Sequence, residues 1–287
     1  GYAFGSYLNL AIHAPAWARA LRHRSVQTAL TPSEWLLIFK SLHDHLAYLE
    51  IVTNGHGGNW PTIGAAGMAN VLADWPIFRD RDRWISYIRS LMAEQVAQQV
   101  LPDGVQDELT PHYHWVVVRN LLNIEAALRE LGSGLETRTL ETFRRMVGYL
   151  QQTLTPDGRQ MVAFNDSDPE YSCRDSLDRL LAQVGLESWR TPANQLGPAV
   201  YPWGGVAFLR QRADRGDLYL AFNAGPFGRA HQHEDKLGFW LYAYGRSFLV
   251  DPGRHLYDRS AVSFYDFLRS TKAHSTIRVD GMDQNSR

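Results

Sequence analysis

The spacing of apolar residues along the chain changes near residue 195. Up to residue 187, successive segments carry apolar residues three and four positions apart, which is the pattern of an amphipathic helix. Later runs alternate apolar with polar residues or are rich in aromatics, which favours strands: "GVAFLRQR", "DLYLAFNAG", "GFWLYAY", "SFLVD" and "STIRVDG". Helices followed by strands predict an α+β chain with an antiparallel sheet and a boundary near 195–203.

Thr, Pro and Gly residues mark the ends of the predicted helices. Thr31 and Pro32 precede a helical pattern, and Glu34 completes a capping box with Thr31. A second Thr-Pro pair at 110–111 starts a helix that ends at Gly132. Further helices are predicted over 80–101, 136–154 and 172–187. Helices of this kind joined by Pro- and Gly-rich loops suggest stacked helical hairpins.

The composition is that of an ordinary globular protein, with 45% hydrophobic and 21% charged residues. The net charge of −1 gives no sign of nucleic-acid or membrane binding, and no run approaches the ~20 apolar residues of a membrane span. The single Cys173 excludes an intramolecular disulfide. The chain shows no initiator Met or leader, and both of its ends suggest a fragment.

Arginine dominates the basic residues, because only Lys40, Lys236 and Lys272 among the 29 Lys and Arg residues are lysines. The planar guanidinium fork suits a sulfate or carboxylate ligand. A codon-usage bias towards Arg explains the same count. Candidate anion-binding or surface arginines are Arg79, Arg81, Arg83, Arg254 and Arg259.

The segment "NGHGGNWPTIG" combines a glycine-rich turn with the start of a helix at Pro61. Asn59 therefore lies near a helix N-terminus, where backbone N–H groups favour anions. A plain helix cap with Trp60 packed inward is the alternative.

The segment "LPDGVQDELTPHYHW" places Tyr113 in the first turn of a helix capped by Thr110. The positive end of the helix is expected to lower the pKa of Tyr113 from its usual ~10. A tyrosine in that environment can exchange a proton at moderate pH, with His112 and His114 beside it. The alternative is a half-buried aromatic flanked by histidines with structural hydrogen bonds.

The segment "AHQHED" places His231, His233 and Asp235 on one face if the backbone is extended. Histidine and carboxylate ligands suit Zn²⁺, and Asp251 and His274 are further candidates. A metal site and a polar loop both fit this spacing.

Four motifs, in order over residues 54–281, resemble the heparinase II/III-like polysaccharide lyases. They are "GNW", "PDGVQDELTPHYH", "GRAHQHEDKLGFWLYAYGRSFLVDPGRHLY" and "RSTKAHSTIRVDG". The Asn59-Trp60 pair resembles the heparan-sulfate-cleaving heparin lyase III branch, whereas alginate lyases tend to have Asn-His. Ser275 in "AHST" departs from the common "AHNT" of the family.

The resemblance implies an incomplete (α/α) toroid of helical hairpins followed by an antiparallel β-sandwich that is truncated here. The toroid would be the N-terminally incomplete catalytic domain, residues 1–195. Residues 196–287 would begin the heparinase II/III-like β domain. The substrate cleft is expected between the two.

The resemblance also implies the roles of individual residues. Asn59 matches the residue that binds the uronate carboxylate, Tyr113 the catalytic tyrosine, and His231 the histidine that works opposite it. A structural zinc ion would be bound by His233, Asp251 and His274, with Asp235 as a supporting or capping residue. Further substrate contacts are expected from Trp60, Glu108, His112, His114, Arg254, and either Tyr257 or Tyr265.

The chemistry implied is β-elimination in a uronic-acid-containing acidic polysaccharide, in which the C5 proton is removed and O4 leaves. An amide such as that of Asn59 can stabilise the enolate-like intermediate. Tyr113 can act as base and acid when proton and leaving group share a ring face, and His231 is the natural base for the opposite epimer. Heparan sulfate or a related glycosaminoglycan is the expected substrate, with alginate or a bacterial exopolysaccharide as alternatives.

Two other classes of function compete with a lyase. A glycoside hydrolase needs two carboxylates that flank the bond. Glu108 and Asp107 are available, but no second partner for them stands out in the sequence. A non-catalytic glycan-binding protein would keep the scaffold without turnover. No organic cofactor, nucleic-acid partner or membrane span is expected, and the resemblance implies a periplasmic or secreted location.

Overall fold

Helices occupy the chain up to residue 183 in the computed structural model, which describes residues 7–168, 173–214, 216–257, 260 and 264–285. These helices are α1 (Tyr7–Ala20), α2 (Arg24–Ala29), α3 (Pro32–Thr53), α4 (Trp60–Asp74), α5 (Arg81–Gln99), α6 (Pro111–Glu130), α7 (Thr137–Gln152) and α8 (Cys173–Gln183). The predicted helices are confirmed, although α8 ends earlier than expected.

The capping box of α3 forms as predicted. The Thr31 hydroxyl accepts a hydrogen bond from the Glu34 backbone N–H, and the Glu34 carboxylate accepts one from the Thr31 N–H at 2.8 Å. These two bonds satisfy backbone donors that the first turn of a helix leaves unpaired, so the sequence itself fixes where α3 begins.

In the described residues, five antiparallel strands follow in the order β1-β2-β3-β4-β5. They are β1 (Ala199–Tyr201), β2 (Val206–Gln211), β3 (Leu218–Asn223), β4 (Gly238–Ala243) and β5 (Arg246–Leu249), with a short helix α9 (Tyr265–Arg269) after them. Of the predicted β-sandwich, the described residues contain this one sheet. Four predicted strands are confirmed, and β1 was not predicted.

The predicted strand "STIRVDG" is wrong, because residues 275–281 form bends and turns. Its apolar residues Ile277 and Val279 are exposed, so their alternation does not face a core. The segment meets the sheet through one backbone hydrogen bond, from Phe239 N–H to Ser275 O at 3.3 Å.

By packing, the chain divides into two compact units. The first runs to Gln98 and also includes Arg119–Glu141, and the second contains Gln99–Val118 and the described residues from Thr142 onward. In the second unit, alternate residues of β3 are buried against helical and loop residues such as Tyr149 and Phe164. The predicted domain boundary at residue 195 marks the change from helices to strands, whereas these two units are defined by packing. The boundary therefore stays a prediction.

Two helix-interior glycines provide a matched test of packing. A Cβ at Gly67 of α4 would overlap the backbone carbonyl of Ala11 in α1, whereas a Cβ at Gly148 of α7 would meet no atom within 4 Å. We expect Gly67→Ala to destabilise the protein by about 1–3 kcal/mol through overpacking. Gly148→Ala is expected to stabilise it by about 0.5–1 kcal/mol through helix propensity. Thermal unfolding measures both, and equal shifts would contradict the close α1–α4 packing.

Candidate active site

Tyr113 and His231 lie in direct contact within the second compact unit. Tyr113 is in the first turn of α6, and His231 lies in the loop between β3 and β4. Their rings stack with centroids 3.9 Å apart and an interplanar angle of 20°. The two side chains that the sequence predicts to be catalytic therefore come together from separate segments of this unit.

Asp166 connects His231 to the predicted metal ligand His233. One carboxylate oxygen lies 3.0 Å from His231 Nδ1, and the other lies 2.6 Å from His233 Nε2. Burial alone would raise the pKa of Asp166, but the hydrogen bonds from the two histidines hold it well below its usual range. Asp166 is therefore an ionised carboxylate beside the stacked rings, and sequence analysis missed it.

Tyr257, rather than Tyr265, is the β-domain tyrosine at this site. Its hydroxyl lies 2.7 Å from the Tyr113 hydroxyl and 3.1 Å from both His231 Nδ1 and Asp166. Tyr265 instead accepts a hydrogen bond from Arg269 at 3.1 Å. Of the two candidate tyrosines, Tyr257 is the one whose hydroxyl contacts Tyr113.

The expected lowering of the Tyr113 pKa is wrong, because its pKa is raised. Burial, which penalises the phenolate, is the largest cause and exceeds the opposite effects of the Tyr257 hydrogen bond and the Arg254 charge. Tyr113 therefore starts with its proton, which suits a proton donor better than a standing base.

His114 does not point towards a substrate, which corrects its predicted role. It is buried, its Nδ1 accepts from Gln106 N–H at 3.3 Å, and its Nε2–H donates to Met146 O at 2.9 Å. Both ring nitrogens are thus satisfied by backbone in the neutral form. Burial is the main reason why the pKa of His114 is lowered to about 4.

This pKa predicts how stability depends on pH. The unfolded chain binds a proton at His114 near pH ~6.5 and the folded chain only near pH 4, so stability falls as pH drops between these values. We expect this group to cost about 2 kcal/mol of the unfolding free energy between pH 7 and pH 5. In urea unfolding at different pH values, the unfolding free energy of His114→Gln should lack this part of its dependence on pH. His13→Gln, which removes an exposed histidine, is the control. A slope unchanged in His114→Gln would contradict the prediction.

The other predicted substrate contacts of this unit surround the stacked pair. His112 lies beside Tyr113 with ring centroids 5.1 Å apart, and Glu108 is buried with its carboxylate 3.8 Å from His231 Nε2. The Arg254 guanidinium lies 4.7 Å over the Tyr257 ring and donates to Asp168. The Glu108 carboxylate faces His231, and substrate contact by Arg254 stays a prediction.

Asn59 and Trp60 belong to the first compact unit. Asn59 is buried at the start of α4 and has helical backbone angles, and its side chain makes no capping bond. Asn59 is thus the N-cap residue of α4, as in the alternative of a plain helix cap, but its side chain does not bond the first turn. Trp60 is 39% exposed and stacks on Tyr7 at 5.9 Å, so it is only partly packed inward.

The arginines of the first unit are surface residues. Arg79 is exposed, Arg81 pairs with its neighbour Asp82, and Arg83 pairs with Glu50. Arg259 lies outside the described residues.

The three predicted zinc ligands lie close to one another. His274 Nδ1 is 2.8 Å from an Asp251 carboxylate oxygen, and the rings of His233 and His274 are 5.3 Å apart. His233 Nδ1 is buried and has no hydrogen-bond partner in the described part of the chain. In that part, no group of three or more His, Cys, Asp or Glu side chains is arranged ready to hold a metal ion.

Asp235 is buried and accepts from Asn165 N–H and the Asn223 amide, which fits a supporting role.

Comparison with known proteins identifies relatives over nearly the whole chain. The model of the Heparinase II/III N-terminus matches residues 17–183, and that of the Heparinase II/III-like C-terminal domain matches residues 195–287. A heparin-sulfate lyase of Pedobacter heparinus is 26% identical over 89% of this chain and 41% of its own length. One of Bacteroides stercoris is 22% identical over 88% of this chain and 40% of its own length.

Solved structures share the fold. A crystal structure of heparinase III matches with a TM-score of 0.81 at 18% identity, covering 97% of this chain and 47% of that one. A heparan sulfate lyase HepC mutant from Pedobacter heparinus matches with a TM-score of 0.75 at 20% identity, covering 97% and 46%. This likeness confirms the predicted fold class, a helical toroid followed by an antiparallel β domain. The chain spans about two fifths of the length of the curated relatives it matches. Because both family models match it, the chain belongs to the heparinase II/III family.

Proposed function

We propose that the chain carries the catalytic site of a polysaccharide lyase that cleaves a uronic-acid-containing acidic polysaccharide by β-elimination. Heparan sulfate or a related glycosaminoglycan is the proposed substrate, in line with the names of the curated relatives. The observation that carries the proposal is the stacked Tyr113–His231 pair with Tyr257 bonded to it. A phenol and an imidazole side by side can move one proton off carbon and another onto oxygen.

The stacking favours one stereochemical course. Ring atoms in van der Waals contact lie ~3.5–4.0 Å apart, so a sugar between two rings needs about 7 Å or more. Tyr113 and His231 are 3.9 Å apart and leave no such room. They are therefore suited to a uronate whose C5 proton and O4 lie on the same ring face, as in D-glucuronate. His231 as base for the opposite epimer is less favoured by this arrangement.

In this course His231 Nε2 takes the C5 proton, and the electron pair of the C5–H bond forms the C4–C5 double bond. The C4–O4 bond breaks as Tyr113 gives its proton to O4. The raised pKa of Tyr113 supports this division of roles, because the phenol then starts protonated. Tyr113 acting alone as base and acid is the other assignment that fits the same ring face.

The roles of Asn59 and of zinc in the proposal rest on the sequence motifs. The Asn59 amide would hold the uronate carboxylate on which charge develops. His233, Asp251 and His274 would hold a zinc ion that fixes the loop of His231, and the unpartnered His233 Nδ1 supports a ligand role. No helix in the described residues is long and apolar enough to cross a membrane, and a periplasmic or extracellular location remains part of the proposal.

A panel of polysaccharides tests the proposed function. The natural protein is incubated with heparan sulfate, heparin, chondroitin sulfate, alginate and a glucuronate-containing exopolysaccharide, and ultraviolet absorbance reports the unsaturated uronate. We expect absorbance with heparan sulfate, from its glucuronate units first. Absorbance with alginate or the exopolysaccharide alone would move the proposal to those substrates. New reducing ends without absorbance would indicate a hydrolase, and binding without cleavage would indicate a glycan-binding protein.

A further inference from the structure

Asp166 is the common hydrogen-bond acceptor of the Tyr113–His231 site. Its side chain is only 2% exposed. One carboxylate oxygen lies 3.0 Å from His231 Nδ1 and 3.1 Å from the Tyr257 hydroxyl, and the other lies 2.6 Å from His233 Nε2. A side chain so buried cannot itself contact a polysaccharide, so any role in the reaction acts through its neighbours.

An ionised carboxylate only accepts hydrogen bonds, which fixes the direction of each bond around it. His231 must carry its proton on Nδ1, and Nε2 is left with the lone pair that a base needs. Tyr257 must donate to Asp166, so its oxygen is free to accept from the Tyr113 hydroxyl at 2.7 Å. One buried side chain thus sets the tautomer of the proposed base and the orientation of the proposed acid.

The backbone around Asp166 also helps to hold His231 and Tyr113 in place. The Asp166 N–H donates to His231 O at 3.0 Å, and His231 has a φ of 61°, which residues other than glycine rarely adopt. The adjacent Asn165 accepts from His233 N–H at 2.9 Å and donates to Leu109 O at 2.9 Å. The turn therefore ties the loop of His231 to the segment that leads into α6 and Tyr113.

We infer that Asp166 is the positioning residue of this site, which sets the Nδ1–H tautomer of His231 and the hydrogen-bond direction of Tyr257. The inference rests on the proposed function. It assigns a role in the reaction to a residue outside the four motifs that carry the family resemblance.

Asp166→Asn tests the inference kinetically. The variant keeps the size of the side chain but replaces one acceptor oxygen with a donor, so His231 and Tyr257 lose their fixed directions. We expect kcat for the unsaturated product to fall by about 10²-fold or more, as for loss of general acid–base catalysis, with KM changed less than about threefold. A fall in stability with an unchanged kcat would overturn the inference.

Asp103→Asn is the matched control in the same unit. The Asp103 carboxylate accepts from the backbone N–H groups of Trp203 and Gly204 at 2.8 and 2.9 Å and has no bond to the stacked pair. Its loss should lower the unfolding temperature while kcat stays within about twofold. The two variants separate damage to the fold from misdirected hydrogen bonds.

Nitrogen-15 NMR of the unaltered protein provides a readout that does not depend on activity. With labelled histidine, and the signal assigned by its loss in His231→Gln, we expect His231 to be protonated at Nδ1 and unprotonated at Nε2 when the ring is neutral. The Nε2–H tautomer would overturn the inference. If no substrate of the panel is cleaved but the Nδ1–H tautomer is found, the proposed function fails while the positioning of His231 stands.

Discussion

Tyr113→Phe is expected to lower kcat by about 10²–10⁴-fold, the range for loss of a general acid or base. The substitution removes only the hydroxyl that lies 2.7 Å from Tyr257, and the phenyl ring can still stack on His231. The free energy of unfolding should therefore change by no more than about 1 kcal/mol. The measurement is the initial rate of unsaturated product from heparan sulfate, with unfolding followed in urea.

Two further variants make the Tyr113 result specific. Tyr244→Phe removes a hydroxyl from an exposed tyrosine at the β4–β5 turn and should leave kcat unchanged. His231→Gln should lower kcat about as far as Tyr113→Phe if His231 is the base. A much smaller fall would mean that Tyr113 performs both proton transfers. Full activity in Tyr113→Phe would exclude the proposed mechanism.

Local sequence signals predicted much of the fold. The capping box at Thr31 and the proline at the start of α6 fix helix ends through backbone hydrogen bonding within one turn, so short patterns suffice. The segment 275–281 shows where this fails, since alternation reports a strand only when one face is buried. Burial is decided by what packs against the segment, and Ile277 and Val279 face outward.

The same dependence on packing explains which site residues could be predicted from the sequence and which could not. Tyr113 and His231 were identified from their motifs, but His114 was misassigned because one step along a helix turns a side chain by about 100°. That step takes His114 away from its neighbour Tyr113 and into the interior, against Met146 O. Asp166 was missed since it lies 65 residues before His231 in the sequence and meets it only through folding. The pKa of Tyr113 depended likewise on burial, which exceeded the effect of the helix terminus.

Asn59→Ala is expected to lower kcat by about 10²–10³-fold, which is the effect of removing one donor from an oxyanion-stabilising site. As the C5 proton leaves, negative charge develops on the uronate carboxylate, and an amide N–H that donates to it binds the transition state more strongly than the substrate. The loss should therefore fall on kcat more than on KM. The fold should tolerate the change, because the Asn59 side chain makes no capping bond in α4.

Asn70→Ala is the control for this prediction, because it truncates the same residue type on the same helix. The Asn70 amide donates to Ala66 O at 2.7 Å, a local bond within α4. We expect Asn70→Ala to keep its kcat. If Asn59→Ala and Asn70→Ala cleave heparan sulfate equally fast, the amide does not stabilise the intermediate. Cationic side chains would then have to stabilise the developing charge. Arg254 would be the first of them to replace by mutation, because it already lies over Tyr257.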